Sequence, residues 1–335
     1  MSAVTHLEVR PEEEGWRFDR WAKAHFPGLS FGQLQKLCRT GQFRLDGKRV
    51  EANARLAHGQ IVRVPPLDEA AKAPAAPEKP AHRPLRAEDA AFIRSLVMYE
   101  DERLIAFNKP AGLAVQGGSG TTRHIDGLLA AFARKGERPR LVHRLDRDTS
   151  GLLVVARSAE AARELTFAFQ QHKVRKLYWA IVLKGPERNH GLIDVPLVKA
   201  GPVGQEKMRT VVRDEEDAPE ARNARTRFMV LARAGKVAAW VGLMPLTGRT
   251  HQLRVHCAAI GTPILGDGKY GGKAAHPTGA PKGLMLHARE LELPQPKGRP
   301  LRLTAEPPAS FREALRWLGL GVPELPGASL DEWPD

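Results

Sequence analysis

The stretch His143-Arg144-Leu145-Asp146-Arg147-Asp148-Thr149-Ser150-Gly151 decides how the fold of this chain is interpreted. It places four charged side chains within five residues and continues directly into the apolar run 152–156. A short apolar run with β-branched residues is typical of a buried strand, and Thr-Ser-Gly before it is typical of a turn. We therefore expect the charged cluster on a turn at the edge of a sheet, where functional side chains are common. The alternative is a surface loop whose Arg and Asp residues pair with each other.

The composition around this stretch indicates a polyanionic partner. The chain has 335 residues, with 52 Lys and Arg against 38 Asp and Glu, and a net charge of +14. A balance this basic favours nucleic acid over a membrane surface. The two cysteines, Cys38 and Cys257, form no C-x-x-C pair, so neither a disulfide framework nor a zinc site is predicted. Because there is no signal-peptide segment and no long apolar run, we expect a soluble, cytoplasmic protein without a membrane partner.

Changes in composition divide the chain into a small and a large domain, consistent with its length. Residues 66–91 include a long run of Ala, Pro, Glu and Lys, which predicts a flexible linker. A small module, 15–65, precedes it, and a large strand-rich domain, 92–320, follows. The Pro-rich, acidic segment 321–335 predicts a loosely held tail. The polar insertion 214–224 predicts an exposed loop.

The small module has the pattern of two helices followed by short strands. Phe18, Trp21 and Ala22 have helical spacing, and Ser30 with Gln33 forms a capping box that starts a second helix. Residues 15–64 contain ten Lys and Arg but only three Asp and Glu. This concentration favours contact with phosphates, although a solvated basic face is the alternative.

The same module resembles the S4 RNA-binding domain. The matching residues are Arg17-Phe18-Asp19-Arg20-Trp21, Ser30, Gly41, Leu45-Asp46-Gly47-Lys48-Arg49 and Gly59-Gln60-Ile61-Val62. The resemblance implies that this module binds RNA through a set of basic side chains: Arg17, Arg20, Lys36, Arg39, Lys48 and Arg49. Phe31 departs from the pattern, since the family usually has Arg directly after that Ser.

Four segments of the large domain, taken together, resemble the RluA family of pseudouridine synthases. They are Asn108-Lys109-Pro110, His143-Arg144-Leu145-Asp146, Lys176-Leu177-Tyr178-Trp179-Ala180 and Thr247-Gly248-Arg249-Thr250-His251-Gln252-Leu253-Arg254-Val255-His256. The resemblance implies an α+β fold with a large mixed or antiparallel sheet behind the small module. The arrangement is most similar to the RluC type, which modifies uridines in large-subunit (23S) ribosomal RNA without a cofactor or metal.

The resemblance also implies catalytic roles for three residues. Asp146 corresponds to the catalytic aspartate of a reaction that detaches uracil from C1′, rotates it and rejoins it through C5. A carboxylate could act there as a nucleophile or stabilise cationic character at C1′, and both alternatives stay open. Arg249 is expected to pair with Asp146 and lower its pKa. Tyr178 is expected to stack on the uracil and to help remove the C5 proton; ordinary packing of a strand aromatic is the alternative.

Three further residues are expected around the flipped base. Arg144 resembles the residue that fills the space left by the flipped uridine, a role suited to a long planar cation. Lys109, in the Lys-Pro pair, is expected to support the site rather than perform chemistry. His251 is expected to form hydrogen bonds that lock the Thr-Gly-Arg turn.

The histidines suggest a metal site as a competing interpretation. His143, His251 and His256 could be combined with Asp146 and Asp267. However, His251 and His256 lie five residues apart, not the four that align two ligands on one helical face, and the set matches no zinc signature. We therefore expect no metal.

The sequence therefore predicts a pseudouridine synthase that acts on 23S ribosomal RNA or on a pre-ribosomal particle, without a cofactor and as a monomer. Three alternatives remain: a catalytically inactive RNA-binding or ribosome-assembly factor, a synthase acting on transfer RNA, and a metal-dependent hydrolase.

Overall fold

The computed structural model describes residues 4–68, 85–117, 123–134, 136–201, 207–211, 221–321 and 329–333. The chain forms two compact units, Met1–Pro84 and Leu85–Asp335. None of the helices in the described ranges combines the length and apolar character that crossing a membrane requires.

The small unit packs a helix pair against a four-stranded sheet. The bounds of its elements are β1 Thr5–Glu8, α1 Phe18–His25, α2 Phe31–Arg39, β2 Arg44–Leu45, β3 Lys48–Arg49 and β4 Ile61–Val64. The strands have the order β1-β4-β2-β3. Phe18 and Trp21 are fully buried in the core. The predicted capping box is confirmed, since the Gln33 backbone N donates to Ser30 Oγ at 3.3 Å and the Ser30 backbone N donates to Gln33 Oε1 at 3.0 Å.

The small unit extends beyond the predicted bounds 15–65 at both ends. Strand β1 lies earlier in the chain and pairs antiparallel with β4, with Thr5 opposite Val64. Leu67, inside the predicted linker, is buried in the same core. The sequence pattern missed β1 because its four residues are exposed or only half-buried, so they carry little hydrophobic alternation.

The large unit is built on one mixed sheet of ten strands, which confirms the predicted α+β fold with a large mixed sheet. The strands are β5 Val97–Glu100, β6 Leu104–Lys109, β7 Arg140–Leu141, β8 Ser150–Ala156, β9 Arg175–Leu183, β10 His190–Asp194, β13 Arg225–Ala234, β14 Ala238–Pro245, β15 Leu286–Leu293 and β16 Leu301–Thr304. Their order is β10-β13-β14-β9-β15-β8-β6-β5, with β16 added to β15 and β7 added to β8.

Helices and one hairpin complete the large unit. The helices are α3 Ala87–Ser95, α4 Ile125–Leu128, α5 Ala159–Gln170, α6 Gln252–Ala259 and α7 Ala309–Trp317. The hairpin pairs β11 Leu197–Ala200 with β12 Lys207–Thr210. Most of the polar insertion 214–224, predicted to be an exposed loop, lies outside the described residues. Ala224 at its end is fully buried.

Two predicted boundaries of the large domain are corrected by the structure. Helix α3 occupies the last residues of the predicted linker, 66–91, whose middle part, 69–84, lies outside the described residues. The predicted loose tail contains Leu330 and Trp333, which are 0% and 5% exposed in the core of the large unit. Arg175 donates to the carbonyls of both residues, and the Leu330 backbone N donates to Glu290. Two buried apolar side chains thus hold a segment whose composition predicts a loose tail.

The position of the functional segments follows from β15, which lies between β8 and β9. The pairing of β15 with β8 is parallel, and its pairing with β9 is antiparallel. In the contact with β8, Gly151 pairs with Ala288 and has a φ of 104°, and a Cβ atom there would lie 2.2 Å from the Ala288 carbonyl oxygen. Only glycine fits so close an approach. The Gly151 position therefore brings the loop before β8 close to strand β9.

Candidate active site

A cleft of about 490 Å³ gathers most of the sequence-predicted residues of the large unit. It is lined by the loop 142–146, the end of α5, strand β9 and the segment 245–254. Five predicted residues line it: Arg144, Asp146, Tyr178, Arg249 and His251. Lys109 does not. The predicted charged turn before a fully buried strand is confirmed, because every residue of β8 is buried.

Lys109 anchors the backbone around the loop that carries Asp146. Its side chain is fully buried, and its Nζ donates to the carbonyls of Pro110, Leu113 and Arg147 at 3.0, 2.9 and 2.9 Å. Burial lowers the pKa of its ammonium to about 8, against the opposing effect of Asp148 and Asp146. Lys109 therefore supports the site, as predicted, but it is not available to contact RNA. The expectation that Lys109 lies around the flipped base is therefore wrong.

The basic side chains nearest Asp146 are Arg254 and His251, whereas the sequence suggested Arg249. Arg254 Nη1 lies 3.7 Å from Asp146 Oδ2, and His251 Nε2 lies 3.8 Å from the same oxygen. Arg249 forms no ion pair with Asp146 in the described structure, and its Nε donates to the Asn223 carbonyl at 3.1 Å. The expected pairing of Arg249 with Asp146 is therefore wrong, and Arg254 takes that position.

Arg254 is held in place by a second carboxylate. Its Nε and Nη2 donate to the two oxygens of Asp267 at 2.8 and 2.7 Å, and the Asp267 side chain is fully buried. A bidentate pair of this kind fixes the plane of the guanidinium. Sequence reasoning missed this residue, although one signal was present: Arg254 lies three residues after His251, a spacing that puts both on one helical face.

Gln252, rather than His251, locks the Thr-Gly-Arg turn. Its Oε1 accepts from the Arg249 backbone N at 3.0 Å and from Thr247 Oγ1 at 2.7 Å. Its Nε2 donates to the Arg225 carbonyl and to Thr226 Oγ1. A buried side chain amide with all its groups satisfied rigidifies the backbone around it. The role expected of His251 thus belongs to its neighbour.

His251 instead faces the carboxylate of Asp146. It caps α6 in a left-handed conformation, with φ 54° and ψ 17°, which is strained for a residue with a side chain. Its Nδ1 lies 2.7 Å from the Tyr270 hydroxyl, which also accepts from the Met208 backbone N at 3.3 Å. With the Tyr270 hydroxyl donating to Nδ1, the neutral imidazole carries its proton on Nε2, facing Asp146. Burial lowers the pKa of His251, against the opposing effect of Asp146.

Tyr178 lies on β9 with its hydroxyl in a setting that keeps it protonated. Burial and the nearby Asp146 carboxylate both raise the pKa of the phenol well above its ordinary value. A phenolate at this position is therefore disfavoured. The ring and the neutral hydroxyl are the groups that Tyr178 offers to a ligand.

The other two histidines of the metal hypothesis have structural partners. His143 Nε2 accepts from the Val154 backbone N at 2.9 Å, and its ring stacks on Phe169. Burial lowers the pKa of His143 to about 3, so it stays neutral. His256 lies between Thr226 Oγ1 and the Val195 carbonyl. Across the described ranges, no three His, Cys, Asp or Glu side chains are grouped so that they could hold a metal ion.

The predicted RNA-contact residues of the small unit are all exposed: Arg17, Arg20, Lys36, Arg39, Lys48 and Arg49. Arg17 pairs with Asp19 at 2.6 Å, and Arg20 lies over the Trp16 ring. The remaining four form no ion pair with any described residue, so their charges are available to an anion.

Known proteins resemble this chain over most of its length. Residues 103–259 match a family model described as RNA pseudouridylate synthase. The chain is 32% identical to ribosomal large subunit pseudouridine synthase C of Vibrio cholerae, over 93% of this chain and 96% of that protein. It is 34% identical to the protein of the same name from Rickettsia typhi, over 90% and 96%. The solved structure of human RNA pseudouridylate synthase domain containing 4 is 30% identical with a TM-score of 0.58, covering 71% of this chain and 99% of that one.

Proposed function

The chain belongs to the RluA family of pseudouridine synthases, and on that premise we propose that it isomerises uridine to pseudouridine in large-subunit ribosomal RNA, with Asp146 as the catalytic carboxylate. The observation that carries the assignment is the position of Asp146. Its carboxylate lies in a cleft beside Tyr178, with Arg254 and His251 at 3.7 and 3.8 Å from one oxygen. Two donors therefore lie beside one oxygen of the carboxylate to which we assign the chemistry.

The reaction converts uridine to an isomer of the same composition. The bond between N1 and C1′ breaks, uracil rotates in the cleft, and a bond forms between C5 and C1′; C5 loses its proton and N1 takes one up. Asp146 can form a covalent bond with C1′ or stabilise its cationic character. Because nothing is oxidised and no group is gained, we propose that the enzyme works without a cofactor or metal.

The target uridine must leave its stack before Asp146 can reach C1′, at a cost of a few kcal/mol. Arg144 is exposed at the rim of the cleft and forms no ion pair in the described structure. We assign it the space left by the flipped base, where a planar cation can stack and also contact phosphates.

Tyr178 supplies an aromatic ring with a protonated hydroxyl beside the uracil site. Because its pKa is raised by burial and by Asp146, we assign it to stacking on the base and to hydrogen bonding through the neutral hydroxyl. Any part it takes in moving the C5 proton then passes through that hydroxyl rather than a phenolate.

Ribosomal RNA is proposed as the substrate because relatives named for the ribosomal large subunit match nearly the whole chain. The exposed basic side chains of the small unit support a second point of attachment to structured RNA. We further propose a cytoplasmic monomer, S4-like in its small unit, that acts on 23S RNA or a pre-ribosomal particle.

The experiment is pseudouridine mapping by carbodiimide adducts and reverse-transcription stops. Unmodified ribosomal RNA is treated with wild type, Asp146→Asn or Asp148→Asn. We expect stops with wild type and with Asp148→Asn, since Asp148 is an exposed turn residue, and none with Asp146→Asn. Stops that persist with Asp146→Asn would remove Asp146 from the mechanism. Tight binding of ribosomal RNA without stops, but with stops in transfer RNA, would move the substrate to transfer RNA. Binding without stops in either RNA would indicate an RNA-binding factor.

A further inference from the structure

We propose that Lys176, His172 and Arg249 form a phosphate subsite beside the uracil pocket, which holds a backbone phosphate next to the target uridine. The inference rests on the proposed function for the identity of the RNA. All three side chains line the same cleft as Asp146. They also interact electrostatically, since burial and then the charges of Lys176 and Arg249 lower the pKa of His172.

Lys176 is the central member of this subsite. It lies on β9 two residues before Tyr178, so the two side chains project from the same face of the strand. No carboxylate or carbonyl among the described residues pairs with its ammonium group, and burial lowers its pKa. A partly buried cation without a partner is costly unless a bound anion completes the site.

Arg249 presents the open end of its guanidinium to the same space. Its Nε is used by the Asn223 carbonyl, whereas neither terminal nitrogen has a hydrogen-bond partner among the described residues. The Nε–H bond fixes the orientation of the guanidinium, and both terminal NH2 groups stay available to an anion. This geometry suits the planar recognition of phosphate oxygens.

Hydrogen bonding to the carbonyls at the end of helix α5 does not explain why these basic side chains lie here. Backbone donors already satisfy three of the last four carbonyls of that helix: Phe167 by Gln171, Ala168 by Lys173 and Phe169 by His172. His172 itself has a left-handed φ of 55°, which turns the chain at this point from the helix toward β9. The positive charge is therefore left for a ligand.

Phosphate is the chemistry that fits this charge. Uracil is neutral and its pocket needs no net charge, whereas the nucleotide that carries it has a phosphate on either side. The cationic side chains of Lys176 and Arg249 repel each other until an anion lies between them, and the neutral imidazole of His172 can hydrogen-bond to the same anion. An RNA strand that places its base at Asp146 supplies that anion without any further partner.

The matched variants are Lys176→Met and Lys173→Met. Both remove one charge and keep an apolar stem, but Lys173 lies over the Phe167 ring and does not line the cleft. Binding of a ribosomal RNA fragment is measured as a function of salt in the Asp146→Asn background, which needs no turnover. We expect Lys176→Met to lower the log–log salt slope by about 0.7, and Lys173→Met to leave it unchanged.

The chemical arm replaces single phosphates of the fragment by uncharged methylphosphonates. At one position next to the mapped uridine, the replacement should weaken binding to the protein with Lys176 several-fold and leave binding to Lys176→Met unaffected. Equal salt slopes for the two Met variants, or equal methylphosphonate penalties at every position, overturn the subsite. Lys176→Arg should restore the slope; if it fails to do so in a protein of unchanged thermal stability, the proposal is also wrong.

These results separate the subsite from the proposed function. Stops in ribosomal RNA with unchanged salt slopes would retain the synthase and reject the subsite. A lowered slope in Lys176→Met without any pseudouridine from wild type would retain the phosphate site and reject the activity.

Discussion

Arg254 Nη1 lies 3.7 Å from Asp146 Oδ2, on a guanidinium whose other nitrogens are held by a buried carboxylate. The cation is therefore fixed before RNA binds, and in the proposed mechanism it needs no reorganisation when charge develops at C1′. Preorganisation of this kind is a large contribution to electrostatic catalysis.

Arg254→Lys keeps the charge but removes the bidentate geometry toward Asp267. We expect kcat to fall by about 10- to 100-fold, which corresponds to about 1.4 to 2.7 kcal/mol of barrier. Arg249→Lys is the comparison, and it should raise KM more than it lowers kcat because Arg249 lies at the phosphate subsite. Steady-state kinetics on an RNA fragment gives both parameters. If Arg249→Lys instead lowers kcat and Arg254→Lys mainly raises KM, Arg249 rather than Arg254 acts on the Asp146 carboxylate.

Lys109→Met should destabilise the large unit without altering RNA binding. It removes three hydrogen bonds from a charged donor to loop carbonyls, and each such bond contributes about 1.5–3 kcal/mol. We expect a clear fall in Tm by thermal denaturation and an unchanged salt slope for RNA binding. A lowered slope with an unchanged Tm would mean that Lys109 reaches RNA after all.

Leu330→Ala tests the anchoring of the C-terminal segment. Leu330 is fully buried in the core of the large unit, so its truncation should cost about 2–5 kcal/mol. Asp331→Asn, one residue along, removes only an exposed partner of Arg302 and should change stability little. Chemical denaturation of both variants measures the difference. Equal stabilities would show that the segment is held loosely in solution.

Arg39→Ala with Lys48→Ala should weaken RNA binding and lower the log–log salt slope. The decrease should be about 0.7 for each single-strand phosphate that the variant no longer neutralises. The charge-preserving pair Arg39→Lys with Lys48→Arg is the control and should keep the slope close to that of wild type. If the Ala pair also keeps it, these side chains lie away from the RNA.

His143 gives stability a defined dependence on pH. Burial lowers its folded pKa to about 3, whereas the unfolded residue titrates near 6.5. Between these values the unfolded state binds more protons, so the contribution of His143 to stability is full above about 6.5 and falls with decreasing pH. His143→Gln keeps an acceptor for the Val154 backbone N but cannot titrate. Denaturation from pH 7 to 5 should therefore show a smaller decrease in stability for the variant; identical decreases would contradict the assignment.

The sequence by itself determined the local elements of this protein. The capping box at Ser30 depends on groups three residues apart, and the turn from Asp146 to Gly151 depends on residues next to one another. Such signals can be recognised in the sequence because their hydrogen bonds join residues that are close together in the chain. The four family segments likewise pointed to Asp146, whose catalytic role stays a proposal, because a motif names a residue without its surroundings.

Only the tertiary structure decided which cation faces Asp146. Arg249 and Arg254 stand in the same short segment, and the left-handed residue at 251 starts α6 so that Arg254 turns inward while Arg249 remains on the preceding turn. Asp267, which holds Arg254, comes from the loop that follows α6, thirteen residues further along the chain. The same reason explains Leu330 and Trp333, because the composition of the tail does not reveal the core surface that buries them. Burial and the choice of ion-pair partner depend on contacts between distant residues, which local patterns do not contain.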